Sequence, residues 1–448
     1  MTHTPPKSKK TGSSMAPANA ESPAGKSPAG DSPSIGRRSL LTGGAVGVGI
    51  GTLLGIGGTL GLQGSPESVK PVPTPGATDE ALKTSLGTAG KRTGFGGEAL
   101  PCHGSHQPGV TMVPGAHIRY IAYTLKPETD AAALQRMFRI LTGDVEGLTS
   151  GAAPLADPEP ELAARPARLS ITIGVGSELV QRINKAKVPK WLGPLPAFSR
   201  DQLDGRHDGG DLVLILQADD QLAVAHAARM LERDLRSFAE LHWVQQGFRQ
   251  ARGSESTGTT MRNLMGQVDG TVNPDPSDDD FAGLVWCDGS GEGETWLKNG
   301  SALVLRRTRM ELDTWDMVDR PGREQTIGRT LSDGAPLSGG TEHTPSDFDA
   351  KNALGLPVIP TFSHIRRARS EDPNERIFRR GMNYDDGQEA GLLFACYQRN
   401  PLKQFVPIQQ RLDELDLLNE WVTHTGSAVF AILPGFKQGE QLGASLLA

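Results

Sequence analysis

One pattern constrains this chain more than any other: strand-like segments and amphipathic helices alternate twice, in the same order. Residues 117–126 (His-Ile-Arg-Tyr-Ile-Ala-Tyr-Thr-Leu-Lys) alternate as a strand does. Asp130 then stands where a helix cap belongs, ahead of a helix over 131–142 with Leu134, Met137, Phe138 and Leu141 on one face. Strands follow at 168–174 and 211–217, then a helix over 220–238 and a strand near 241–246. After residue 280 the series recurs, with strands at 283–287, 301–312 and 391–398. A helix over 402–423 places Phe405, Ile408, Leu412, Leu415 and Leu418 at core spacing, and a last strand covers 427–433.

A strand–helix–strands–helix–strand series, repeated, predicts an α+β fold of two ferredoxin-like halves with antiparallel sheets, of the dimeric α+β barrel type. The domain reading is 93–255 for the N-terminal half and 256–448 for the C-terminal half. Long Gly/Pro/Asp loops at 254–280 and 313–360 interrupt the pattern, and loops of that length are commonly functional. With 55 Gly and 32 Pro among 448 residues, a coiled coil or plain helical bundle is excluded.

Before residue 93 the character changes. Residues 1–33 are mostly Pro, Ser, Ala, Gly and Lys, with the repeat Ser22-Pro-Ala-Gly-Lys26 and Ser27-Pro-Ala-Gly-Asp31. This composition buries too little apolar surface to offset chain entropy, so the head is expected to be disordered. Arg37-Arg38 then precede 23 uncharged residues, Leu40 to Leu62, of which nine are Gly. Twin arginine before a weakly apolar run is similar to a twin-arginine (Tat) export signal, and residues 1–62 are assigned to head and signal. A membrane span of that length would carry less Gly. Residues 63–92 are a linker. The expected location is therefore extracytoplasmic: cell envelope, periplasm or medium, with a tether if the signal stays uncleaved, since residues 63–92 contain no A-x-A motif.

Residues 1–65 carry a net +4, so the overall −6 leaves −10 on the rest. An acidic body argues against nucleic acid as a partner. Three Cys make no disulfide framework, and C-x-x-C, H-E-x-x-H and the Walker motif are absent, which removes thioredoxin, zinc-ribbon, zincin and P-loop chemistry and covalent haem attachment.

Of ten His, His364 is distinctive, because Arg366, Arg367 and Arg369 surround it. A cationic neighbourhood keeps an imidazole neutral, and the neutral form binds metal. By residue type alone, ligand and core histidine stay equally open. His103 and His106, an H-x-x-H in a Gly-rich turn, fit solvated side chains, and His424 fits a helix C-terminus. A second cluster is Gly266-Gln-Val-Asp269-Gly270-Thr271-Val272-Asn273-Pro274, where a carboxylate flanked by Gly can approach a ligand closely or close an Asx turn on itself. A third is Arg379-Arg380-Gly381, either a surface charge pair or a cation for developing negative charge.

Taken in order, Gly266-x-x-Asp269-Gly270, His364-x-Arg366 and Arg379-Arg380-Gly381 resemble the dye-decolorising peroxidases, and most closely their Tat-exported branch with the iron-transport-associated deferrochelatase proteins. Gln107-Pro-Gly109, Gly209-Gly-Asp211, Trp243-Val-Gln-Gln-Gly-Phe248, Gly391-Leu-Leu-Phe394 and His424-Thr-Gly-Ser427 support the likeness over about residues 92–440. Arg369-Ser370 departs from the family's Asn-Pro. The resemblance implies non-covalent haem b, with His364 as proximal iron ligand, Asp416 as acceptor for its other nitrogen, and Asp269 and Arg379 on the open face. Gly270, Thr271 and Val272 line the cofactor, and Arg366, ahead of Arg307, pairs with its propionates. Asp269 would accept and return a proton during peroxide cleavage while Arg379 stabilises negative charge. Tyr384, Tyr397, Trp315 and Trp421 are relay candidates whose more ordinary role is packing. The implied partners are hydrogen peroxide, a one-electron donor such as a dye or phenolic, and the Tat machinery. A homo-oligomer and an iron-uptake partner stay open. The alternative function is iron release from haem, with peroxidase turnover incidental.

Overall fold

The structure is a computed structural model that describes residues 94–448; the expected head, export signal and linker lie outside the described residues. Nine strands build the sheet: β1 (His117–Leu125), β2 (Ser170–Val175), β3 (Leu212–Ala218), β4 (Ala239–Phe248), β5 (Ser301–Met310), β6 (Phe378–Arg379), β7 (Met382–Asp385), β8 (Ala390–Gln398) and β9 (Val422–Ile432). Hydrogen bonding orders the first half β4-β1-β3-β2 and the second β9-β5-β8-β7, every ladder antiparallel. Counted within each half, with β6 and β7 taken as one interrupted strand along β8, both orders are 4-1-3-2, the ferredoxin-like arrangement that the repeated series predicts.

Two seams join the halves. β2 meets β9 at Gly174↔Ile432 and Val175↔Ala431, and β4 meets β7 at Phe248↔Asn383. The ladders thereby close into a barrel, which leaves few free strand edges. Its interior holds Tyr120, Ile215, Trp243, Leu303, Tyr397 and Phe430. Outward-facing residues such as Ile171, Leu214 and Val304 bury against helices.

Helix α1 (Ala131–Ser150) begins where Asp130 accepts from the Ala133 N–H at 2.7 Å. It runs eight residues past the expected end, because Val145 and Leu148 continue its buried face, and it stops at Gly151 with φ 83°. Helix α2 (Gln221–Leu235) covers the same half. In the C-terminal half the first crossover is the long segment between β5 and β6, which ends in the short helix α3 (His364–Ala368), and the second is α4 (Phe405–Leu415).

Two expectations fail locally. Residues 283–287 are not a strand: Phe281–Val285 is helical, and Cys287 instead pairs its backbone with Asn299 and Gly300. A short apolar run suits a buried helix turn as well as a strand. The helix expected over 402–423 ends at Leu415, because Asp416 caps the separate turn Leu417–Glu420 through the Leu418 N–H, and β9 starts at Val422. His424 is therefore a buried strand residue bonded to Thr308 Oγ1 at 3.0 Å, not a helix end. Burial and the nearby Arg306 push its imidazole down to about 3. Among the described residues no helix is long and apolar enough to cross a membrane.

Candidate active site

The site lies on the helix-covered outer face of the C-terminal half, and each of its parts has a local cause. Between β4 and β5, Asn263 accepts from the Met265 and Gln267 N–H groups while Gly266 takes φ 81°, and Arg262 bridges to Val268. This tight turn delivers Asp269, whose N–H donates to the Met261 carbonyl at 2.8 Å. The carboxylate does not close an Asx turn on itself. Asn263 Nδ2 donates to its Oδ2 at 3.2 Å, and Arg379 Nη1 stands 3.8 Å from its Oδ1. Arg379 comes from β6 and is clamped by Asn273: its N–H donates to Asn273 Oδ1 at 2.8 Å and its carbonyl accepts from Asn273 Nδ2 at 3.2 Å. Its Nη2 donates to the Val272 carbonyl at 2.8 Å. The Asp269 and Arg379 side chains are 25% and 26% exposed, so the pair faces open space.

His364 opens α3, and its Nδ1 lies 2.6 Å from Asp416 Oδ2. The break in the expected long helix makes this contact: α4 stops at Leu415, Leu417 N–H reaches the Phe362 carbonyl at 3.0 Å, and Asp416 is carried against His364. Burial disfavours a charged His364, yet Asp416 overrides it and the net direction is upward. Asp269 adds to that pull and Arg379 opposes it, so the imidazole is within electrostatic reach of the distal pair. Trp315, Trp421, Met265, Ile327 and Ile365 pack together beneath, and Trp315 Nε1 donates to the Met265 carbonyl at 3.1 Å, tying the Asp269 turn to the His364 side.

A haem fits these residues. Asp416 occupies Nδ1 of His364 and leaves Nε2 for a metal. Gly270 holds φ 121°, a conformation that side chains rarely adopt, and nothing lies nearer its Cβ direction than Thr260 Cγ2 at 3.6 Å, so its backbone is approachable. Val272 presents a 70% exposed apolar side chain beside Arg379. Thr271 donates to Glu342 at 3.0 Å.

The remaining candidates make other contacts. Arg366 donates to the Phe348 and Ile359 carbonyls at 2.6 and 3.3 Å and so fastens the loop before α3. Arg307 is buried in the barrel, bonded to Asp386, Glu389, Gln245 and Thr425 and stacked on Tyr384, which satisfies its charge away from the site. Trp315, Tyr384 and Tyr397 are each 1% exposed, and half-buried Trp421 meets Trp315 edge-on at 5.2 Å. Asn263 escaped the sequence reading, although an Asn just ahead of a Gly turn carries the Asx signal that would have found it, and Asn273 stood in the second cluster without its role as the Arg379 clamp.

Two family models match, "Dyp-type peroxidase, N-terminal" over residues 107–249 and "Dyp-type peroxidase, C-terminal" over residues 260–437. The dye-decolorizing peroxidase of Thermobifida fusca is 35% identical over 76% of this chain and 83% of its own length. The deferrochelatase of Shigella boydii is 33% identical over 78% of this chain and 88% of its own. The crystal structure of a DyP-type peroxidase from Cellulomonas bogoriensis superposes with TM-score 0.76 at 46% identity, over 79% of this chain and 99% of that one. Ferric and haem-complexed forms occur among the matched structures. A chain with this barrel, this His–Asp pair and these relatives belongs to the Dyp-type peroxidase family, as a haem-dependent oxidoreductase acting on peroxide.

Proposed function

We propose that peroxide is cleaved between Asp269 and Arg379 and that His364 holds the haem iron through Nε2. The observation that carries this is the pairing itself: a partly open carboxylate 3.8 Å from a guanidinium, within electrostatic reach of an imidazole whose other nitrogen is already bound to Asp416. Haem, when bound, supplies the metal centre and the redox equivalents. Asp269 accepts a proton from one peroxide oxygen and returns it to the other. Asn263 holds its second oxygen in place meanwhile. Arg379 cannot act as a base; it favours the ionised carboxylate and stabilises negative charge on the departing oxygen. Asp416 fixes the tautomer and orientation of His364. Dyes and phenolics are the donors this reading assigns, as compounds that yield electrons singly.

Stopped-flow mixing of the haem-loaded protein with peroxide tests the assignment. Asp269→Asn is expected to slow the absorbance change by about 10²–10⁴-fold and Arg379→Leu by about 10²–10³-fold. Rates within tenfold of wild type for both variants would remove the distal assignment. Iron release from haem is the second reading, supported by the deferrochelatase relative; metal-free porphyrin accumulating without peroxide would favour it. Tat export rests on Arg37-Arg38 and the uncharged run after them, and Lys at both positions is expected to leave the protein in the cytoplasm.

A further inference from the structure

We propose that Arg262 is a positioning residue for Asp269: its guanidinium ties the turn that presents the base to the segment that presents His364, and so fixes where the carboxylate stands. The proposal rests on the reading of Asp269 as the proton acceptor.

Asp269 stands on a very small hairpin. Its N–H donates to the Met261 carbonyl at 2.8 Å, the Asn263 N–H to the Gln267 carbonyl at 3.0 Å, and the Gly266 N–H to the Asn263 carbonyl at 2.9 Å. Arg262 bridges to Val268 between them. A lone two-stranded hairpin is marginal in water. Asn263, the neighbour of Arg262, is also the residue that donates to the carboxylate, at 3.2 Å. Any drift of this hairpin therefore moves the base and its holder together.

Arg262 supplies the brace. Its Nη1 donates to the Gly266 carbonyl at 2.9 Å, inside the hairpin, and to the Leu331 carbonyl at 2.7 Å, outside it. Its Nη2 donates to the Ser332 carbonyl at 2.7 Å. One planar guanidinium thus spans two segments in a fixed geometry. The second segment is itself a hairpin. Arg329 bridges to Pro336, the Thr330 N–H donates to the Ala335 carbonyl at 2.9 Å, and Arg329 Nη1 donates to the Gly334 carbonyl at 2.6 Å. The Leu331 N–H anchors it by donating to Glu324 Oε1 at 2.9 Å, on the helix Arg320–Ile327. Just past that helix, Gly328 packs so closely on Ile365 that a Cβ there would stand 2.7 Å from Ile365 Cγ1. Ile365 directly follows His364. A series of short contacts therefore runs from the residue beside the imidazole to the hairpin of the base, and Arg262 is its polar joint. Gly334 closes the same joint by packing, since a Cβ there would stand 2.8 Å from Val268 Cβ.

A base works only within hydrogen-bond reach of the oxygen it serves. A misplacement of about 1 Å can cost about 10²-fold in rate. Releasing the joint leaves Asp269 chemically intact and frees its position.

Arg262→Met keeps the stem and removes every donor. In full-length, haem-loaded protein it is expected to slow the peroxide-induced absorbance change by about 10- to 10²-fold, with the resting Soret band in place. In an Asp269→Asn background the same substitution is expected to add less than about twofold, because no base is left to position. A readout independent of turnover is amide hydrogen exchange of the resting protein, in which peptides covering 261–269 and 329–336 are expected to lose protection together. A wild-type rate in Arg262→Met, with Asp269→Asn still slow, overturns the proposal and leaves the base assignment standing. Slowing by the same factor in both backgrounds, the mark of a general structural role, overturns it too, as does unchanged exchange in both peptides. A wild-type rate in Asp269→Asn removes the base assignment and this proposal with it. Should Arg262→Met fail to hold haem, Arg262→Lys decides, since its single nitrogen replaces a two-pronged contact: slowing that disappears in the Asp269→Asn background supports the joint, and a wild-type rate overturns it.

Discussion

The two halves share one strand order and differ in what fills the first crossover. In the N-terminal half the crossover starts with the single capped helix α1, whose buried face (Leu134, Met137, Phe138, Leu141, Val145, Leu148) lies against the sheet. In the C-terminal half the corresponding connection, from Glu311 to Ile377, breaks into short helices and loops and places His364 at its far end. A regular helix satisfies its own backbone and presents a repeating apolar face, which suits it to support. An irregular segment puts single side chains where a helix could not, provided the sheet beneath is already stable. Support and chemistry are thus divided between equivalent positions of a duplicated fold.

The sharpest break of that comparison is His364→Ala. It is expected to abolish most haem binding, read as loss of the Soret band on reconstitution, while the melting temperature of the haem-free protein stays close to wild type. Full haem occupancy in this variant would show that the C-terminal crossover does not carry the cofactor. The matching change in the support half is Phe138→Ala, at a fully buried position of α1. It is expected to cost about 3–5 kcal/mol of stability by chemical denaturation and to leave the spectrum of the surviving haem-bound fraction unchanged. A shifted spectrum would mean that the halves do not divide the work.

Asp416→Asn sharpens the account of the site. Asn still caps Leu417–Glu420 but removes the charge from His364 Nδ1, so haem affinity should fall by about 10–100-fold with the fold intact. Equal affinity would reduce Asp416 to a cap.

The smallest effect concerns two histidines shifted in opposite directions. His424, buried near Arg306, titrates at about 3 against an ordinary 6.5, so the unfolded chain binds the extra proton between those values. Its contribution is complete above about pH 6.5 and is lost progressively as pH falls towards 3. His364 in the haem-free protein is shifted upward, and its contribution is present below the ordinary value and lost as pH rises through the raised one. His424→Asn should therefore flatten the acid side of the haem-free stability curve, and His364→Ala the neutral side. Curves that stay parallel to wild type would contradict both assignments.

Much of this was legible in residue order. The hydrophobic periods of α1 and α2 and the alternation in β1 mark the N-terminal half clearly, since each period follows from one buried face. The run 283–287 misleads because five apolar residues do not separate strand from helix. The run 402–423 misleads because core spacing continues through Leu418, while Asp416 at its centre acts as a cap, a role that depends on the Leu418 N–H being free. Asp269, His364 and Arg379 stood out by their Gly and Arg surroundings and by family likeness, and the structure brings all three together. Arg307, the weaker of the two propionate candidates, has its guanidinium engaged within the barrel, while Arg366, two residues after His364, donates through Nη1 to the Phe348 and Ile359 carbonyls.

By itself, then, the sequence determined two repeats of one α+β pattern, an acidic body behind a basic head, and three chemically distinctive clusters, because periodicity, charge and residue type are local properties. Only the tertiary structure decided that the repeats close into one barrel through β2–β9 and β4–β7, that Asp269 comes within electrostatic reach of His364, and that a break after Leu415, not a continuous helix, carries Asp416 to the imidazole. Those outcomes depend on contacts between residues far apart in the chain, and such contacts form only after each local element has somewhere to bury its apolar face.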